Sequence, residues 1–158
     1  MGRLVEKVTG IVIQHKKDAP NLNFKELVTK THIGWVTDVH LDFIDRVRME
    51  RFYEDIMIAG PDALLIGGDI DDAPHVDHSL RLLGDLVPVP IYYVFGNHDF
   101  YRGSIAGVRG RIIRLIGTSS SLHWLPQAGV VPLTENTCLV GHDSWADARF
   151  GDYENPHQ

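Results

Sequence analysis

A chain of 158 residues, 44% of them hydrophobic, has enough apolar side chains for one folded core, and 15 basic against 21 acidic residues leave a formal charge of −6 with no long run of either sign. That balance argues against binding nucleic acid or membrane through bulk charge, and the one cysteine, Cys138, excludes a disulfide framework or a cysteine-rich zinc site. No stretch reaches transmembrane length and MGRLVEKVTGIVIQHKK lacks the apolar run of a signal peptide, so a cytoplasmic protein with no membrane partner is expected.

Residues 1–31 hold one short apolar run, Ile11 to Ile13, before a Lys-rich, Pro-containing stretch; they are read as a lead segment without an assigned element. From residue 32 onward, strand-length apolar runs alternate with helical periodicity, the pattern of β-α-β units and a mostly parallel sheet, so an α/β domain over 32–158 is expected. HIGWVTD, residues 32–38, is the first strand. Ile44, Val47, Phe52, Ile56 and Ala59 make a helical stripe closed by Gly60-Pro61. DALLIGGD, residues 62–69, reads as a strand buried on both faces. Val76, Leu80, Leu83 and Val87 fall at helical spacing, and Pro88 and Pro90 end that helix. IYYVF, residues 91–95, is a third strand, and a helix with Ile105, Val108, Ile112 and Leu115 facing inward follows the loop GNHDFYRG. Two short strands are expected near 129–133 and 137–141.

Three successive strands end in metal-binding residue types: Asp38 and His40, then Asp69, then Asn97 and His98. The carboxyl ends of parallel strands share one rim, where ligands of open α/β sheets bind, so these residues are expected to meet. Asp38 and His40 are two apart, which in extended backbone puts both side chains on one side. The two oxygens of Asp69 suit it to bridge two cations, and Asn97 offers a neutral oxygen. His98 is assigned to the substrate side, hydrogen-bonding phosphoryl oxygens or protonating a leaving group, with Asp99 orienting it. Each block alone is also the composition of an ordinary strand-end turn; the case rests on all three in order. Asp71 and Asp72 read as solvated loop residues, Arg102 as a surface residue, and Cys138 as a thiol without chemistry.

DVH at 38–40, GDIDD at 68–72 and GNHD at 96–99 resemble, in order and spacing, the first three signature blocks of the calcineurin-like metallophosphoesterases. The resemblance covers about residues 32–142. It implies Asp38, His40 and Asp69 on one metal, Asp69 and Asn97 on a second, and His98 as the acid or transition-state-stabilising histidine. It further implies hydrolysis of phosphate esters by in-line attack of a metal-activated hydroxide at a dinuclear site. The metals would be two divalent ions, and Mn, Fe, Zn and Mg all suit an oxygen-and-nitrogen ligand set.

The family pattern continues to a further metal-binding His and a Gly-His-x-His block. Here Gly141-His142-Asp143 has only the start of such a block, and His142 is carried as a weaker ligand candidate. The expectation is therefore a C-terminally truncated domain with an incomplete second sheet and a bare apolar face on the first, covered either by a homodimer or by a rearranged C-terminal segment. Two other functions compete with a phosphatase or phosphodiesterase: a binding or scaffold protein that keeps the fold with an impaired site, and a nuclease. The nuclease is disfavoured by the −6 charge.

Overall fold

The computed structural model describes residues 5–8, 11–15, 32–134 and 136–144. The elements in chain order are β1 (Val5–Val8), β2 (Ile11–His15), β3 (Ile33–Val36), α1 (Arg46–Ala59), β4 (Ala63–Ile66), α2 (Val76–Leu86), β5 (Ile91–Tyr93), α3 (Ile105–Ile116), β6 (Leu122–Trp124), α4 (Leu125–Ala128), β7 (Val131–Thr134) and β8 (Thr137–Gly141). Single turns of 3-10 helix lie at Leu41–Phe43 and His98–Phe100. Among the described residues no helix is long and apolar enough to cross a membrane.

Four strands pair in parallel in the order β3-β4-β5-β6, and a second, small antiparallel sheet runs β1-β2-β8-β7. Side chains of β4 alternate between two cores, as the two-residue period of a strand requires. Leu64 and Ile66 join Tyr53 and Ile56 of α1, Leu80 and Leu83 of α2, and Val108 and Ile112 of α3. Ala63 and Leu65 join Tyr92, Val94, Leu125, Leu133 and Leu139. The parallel sheet is thus the middle layer, with helices on one face and the second sheet on the other, which explains why β4 has no polar face.

The helices follow their sequence signals. Asp45 caps α1 by accepting the Arg48 amide, and the Gly60 amide closes the helix on Ile56. Val76, Leu80, Leu83 and Val87 are all buried, as the spacing predicts. In α1 the inward face is set by Tyr53 and Ile56, and Val47 is 73% exposed, so the stripe drawn through Val47 is rotated from the real one. Ile105, at the first turn of α3, is likewise exposed.

Three features depart from the sequence reading. The strand Leu122–Trp124 extends the parallel sheet where no strand is expected; with three residues it is too short to show a period. Val5–Val8 and Ile11–His15, within the stretch left unassigned, pair with each other and onto β8; the rest of 1–31 and residues 145–158 lie outside the described residues. The second face of the parallel sheet is also not bare, because Leu125, Leu133 and Leu139 pack on it. Of the two expected covers for that face, the C-terminal segment is the one seen there.

Leu139 is fully buried between the sheets. Leu139→Ala should lower stability by about 2–5 kcal/mol through lost burial and the residual cavity, read as a shifted denaturant midpoint at unchanged slope. A loss below about 1 kcal/mol would mean that the second sheet is not packed on the first.

Candidate functional site

The loops after β3, β4 and β5 meet at the carboxyl edge of the sheet. Beyond the strand ends, the first two remain paired through backbone. The Asp38 amide donates to Gly68 O at 3.1 Å, that of His40 to Asp69 O at 3.0 Å, and that of Leu41 to Ile70 O at 2.8 Å. This continuation runs through left-handed backbone at Asp38 (φ 52), His40 (φ 43) and Asp69 (φ 51). A non-glycine residue there costs of order 1–2 kcal/mol. Neither Asp38 nor His40 is therefore extended, and the expectation that two-residue spacing aims both side chains alike does not describe this loop.

What holds the second and third loops together is Asp99, whose carboxyl is fully buried. One oxygen accepts the amides of Asp69 at 2.9 Å and Gly96 at 2.8 Å; the other accepts those of Ile70 at 2.8 Å and Asp71 at 3.1 Å. Burial pushes the Asp99 carboxyl up to about 7, the amides of Asp71, Gly96 and Ile70 pull it down, and the Asp69 charge raises it. Four donors and no acceptor around it are the surroundings a carboxylate satisfies and a carboxylic acid does not. Asp99 thus orders the backbone of its own loop and of 69–71; its oxygens are engaged there, and the expected role of orienting His98 has no hydrogen bond behind it.

His40, Asp69 and His98 each offer a ligand atom, and these atoms lie within 4.8 Å of one another. The His40 and His98 rings meet edge to face with centroids 4.7 Å apart. Asp69 is held by the His98 amide, which donates to its Oδ1 at 2.9 Å. His40 Nδ1 is buried and has no hydrogen-bond partner among the described residues. Leaving such a nitrogen unpaired costs about 1–3 kcal/mol, so the site lacks a partner for it. Close packing leaves no space for side chains at the two glycines: a Cβ on Gly68 would sit 2.6 Å from Gly96 N, and one on Gly96 would overlap the Asp69 carboxylate.

The remaining sequence candidates fall around this group. Asp38 is exposed, its Oδ2 accepting the Thr37 hydroxyl at 2.5 Å, and it lies outside the three-residue cluster. Asn97 donates from Nδ2 to the Tyr101 hydroxyl at 2.7 Å. His142 is exposed, hydrogen-bonded through Nδ1 to Ser144 at 2.6 Å, and is likewise outside the cluster. Its neighbour Asp143 carries the contacts: a buried carboxylate accepting Phe95 N at 2.8 Å and Trp124 Nε1 at 3.1 Å, paired with Arg109 at 3.2 Å. Arg109 also lies over the Trp124 ring. No sequence signal singled out Asp143 or Tyr101, since their importance depends on which backbone or side-chain donors the fold brings to them.

Asp71 and Asp72 are both only 4% exposed, against the expectation of solvated loop residues. Asp71 accepts the Ser79 hydroxyl and the Asp72 amide, and burial raises its pKa. Asp72 binds His75 at 2.6 Å and Arg102 at 2.8 Å. Arg102 is therefore a partner for a buried carboxylate rather than a plain surface residue.

A family model described as calcineurin-like phosphoesterase matches residues 31–158. No curated protein and no solved structure matches the chain.

Asp99→Asn keeps the shape but sets an NH2 group against two of the four amide donors. It should cost about 2–6 kcal/mol of stability, from about 1–3 kcal/mol per unsatisfied buried donor, measured by denaturant unfolding with chelator present. A variant as stable as the wild type would show that the loops do not depend on this carboxylate.

Proposed function

Because the chain belongs to the calcineurin-like phosphoesterase family, we propose that it hydrolyses phosphate esters with two divalent metal ions held around Asp69. The observation that carries this reading is that His40, Asp69 and His98 bring three ligand atoms within 4.8 Å of one another. Such a group is suited to a cation, and the mixed oxygen and nitrogen donors suit Mn, Fe, Zn or Mg.

In this reading Asp38, His40 and Asp69 hold one ion, and Asp69 with the Asn97 oxygen holds the other. Bound there, the ions would polarise the phosphoryl oxygens and lower the pKa of an attacking water. The chain's own work is to fix the donors. The His98 amide holds Asp69 Oδ1, leaving the second oxygen with no protein donor among the described residues. The four amides on Asp99 hold the segment that carries Asp69. His98 hydrogen-bonds the substrate's phosphoryl oxygen or gives a proton from its ring to the leaving oxygen. The substrate class is a phosphate monoester or diester, and the reading makes no choice between them.

A binding protein with an impaired centre is the second reading, favoured by how few ligand candidates share the cluster: His40 and Asp69 meet there with His98, and Asp38 and His142 lie outside it. Metal content, and hydrolysis of an aryl phosphate monoester and diester with added Mn or with chelator, separate the two. Turnover that requires metal is the expected result; metal bound without turnover on either ester favours the binding protein. Asp69→Ala should bring hydrolysis to background and abolish metal binding. His98→Asn should lower kcat on the order of 10²–10⁴-fold, the usual worth of a general acid, with Mn affinity changed far less. Equal loss of both would sink the role given to His98.

A further inference from the structure

Tyr101 follows the His98–Phe100 turn and is 50% exposed, a setting in which a tyrosine is ordinarily unconstrained. Here both ends of the side chain are engaged, each by a different residue of the candidate site. The ring packs on the His98 imidazole, with centroids 4.3 Å apart and planes at 33°. The hydroxyl accepts a hydrogen bond from Asn97 Nδ2 at 2.7 Å. The backbone is fixed as well: its N–H donates to His98 O at 2.9 Å, and its carbonyl accepts the Ala73 amide at 3.1 Å. That last bond ties Tyr101 to the loop after β4, the one that carries Asp69.

An asparagine amide has one end that can ligate a hard cation, the oxygen, and one end that repels it. Rotation of the amide plane exchanges the two. A hydroxyl that takes up the NH2 end holds that plane and leaves the oxygen as the end available to an ion. His98 has the complementary problem. Its backbone is set by the turn, and its N–H is spent on Asp69, so the direction of its ring depends on what packs against it. The Tyr101 and His40 rings both lie against it.

We propose that Tyr101 is a positioning residue that sets the Asn97 amide through its hydroxyl and the His98 ring through its own ring. This rests on the metal-dependent hydrolase reading above. The two contacts separate by mutation: Tyr101→Phe removes the hydroxyl and keeps the ring, whereas Tyr101→Leu removes both. A partner that orients a metal ligand typically changes metal affinity or activity by 10–100-fold. Tyr101→Phe should therefore weaken Mn binding by about 10-fold or more, with kcat at saturating Mn within about threefold of wild type. Tyr101→Leu should show the same weakened binding and, in addition, a kcat lowered by about 10-fold or more at saturating Mn.

The experiment measures Mn binding directly, by the loss of the free-ion paramagnetic resonance signal on titration, for wild type and both variants. Aryl phosphate turnover and the thermal midpoint are recorded on the same preparations. A merely structural tyrosine would lower the midpoint of both variants and leave Mn binding per folded molecule unchanged, which overturns the proposal. So does an unchanged Mn affinity in Tyr101→Phe. Failure of the wild type itself to bind Mn sinks the underlying hydrolase reading, and the role of Tyr101 with it; the two failures are told apart by the wild-type titration.

Discussion

Two loops that leave neighbouring strands of a parallel sheet have no reason of their own to stay in register, because strand pairing ends at the sheet edge. Here the loops after β4 and β5 are joined by one buried carboxylate. Asp99 takes amides from Asp69, Ile70 and Asp71 in one loop and from Gly96 in its own. A carboxylate suits this task because it offers about four acceptor positions and no donor, so four converging N–H groups are satisfied by a single side chain. The charge-assisted bonds are stronger than neutral ones, which offsets part of the cost of burial. Asp69 and His98 are thereby placed with respect to each other before any ligand arrives.

That placement costs conformational energy elsewhere. Asp38, His40 and Asp69 all sit in left-handed backbone, and such residues persist only where their surroundings over-determine them. Three amide bonds from 38, 40 and 41 onto 68, 69 and 70 do so, and Gly68 and Gly96 let the two backbones approach where side chains would collide. Among the described residues three of the four non-glycine residues with positive φ are candidate ligands, the fourth being Arg102, and strain so placed is what preorganisation of a binding site looks like in the backbone. The stability that tolerates it comes from the two cores above and below β4 and β5.

The sequence was informative where a local pattern determined the outcome. The strands ALLI and IYY, the inward stripe of α2 and the meeting of three strand-end loops follow from apolar runs, helical spacing and the geometry of parallel sheets. Leu122–Trp124 was invisible because three residues carry no period. Ile11–His15 was unreadable because its partner β8 lies more than a hundred residues away, and Val5–Val8 because it pairs only with that strand. At the site, residue types located Asp69, His98 and His40 correctly in the same neighbourhood, and the geometry of the turn was lost: extended backbone was assumed for 38–40, where two left-handed residues occur. The role of Asp99 was misjudged for a related reason. A carboxylate next to a histidine reads as its partner, whereas its real partners are amides some thirty residues earlier, brought near by strand pairing.

Hydrogen-bond accounting divides the aspartates around this edge in a way that charge counting does not. Asp99, Asp143, Asp71 and Asp72 are buried, and their oxygens are taken by amides, by Trp124 and Ser79, or by the cations of Arg109 and Arg102 and the ring of His75. Such carboxylates can receive a ligand only by giving up a partner that burial makes expensive to lose. Asp38 and Asp69 differ in kind: each has one oxygen engaged, by the Thr37 hydroxyl and the His98 amide respectively, and the other without a protein donor among the described residues. The acidic side chains thus separate into those that build the edge and those left with acceptor capacity at it. The latter stand in the strained loops, with the unpartnered nitrogen of His40 between them in sequence. Ligand capacity left over on Asp38, His40 and Asp69 is the physical reason to expect a cation there.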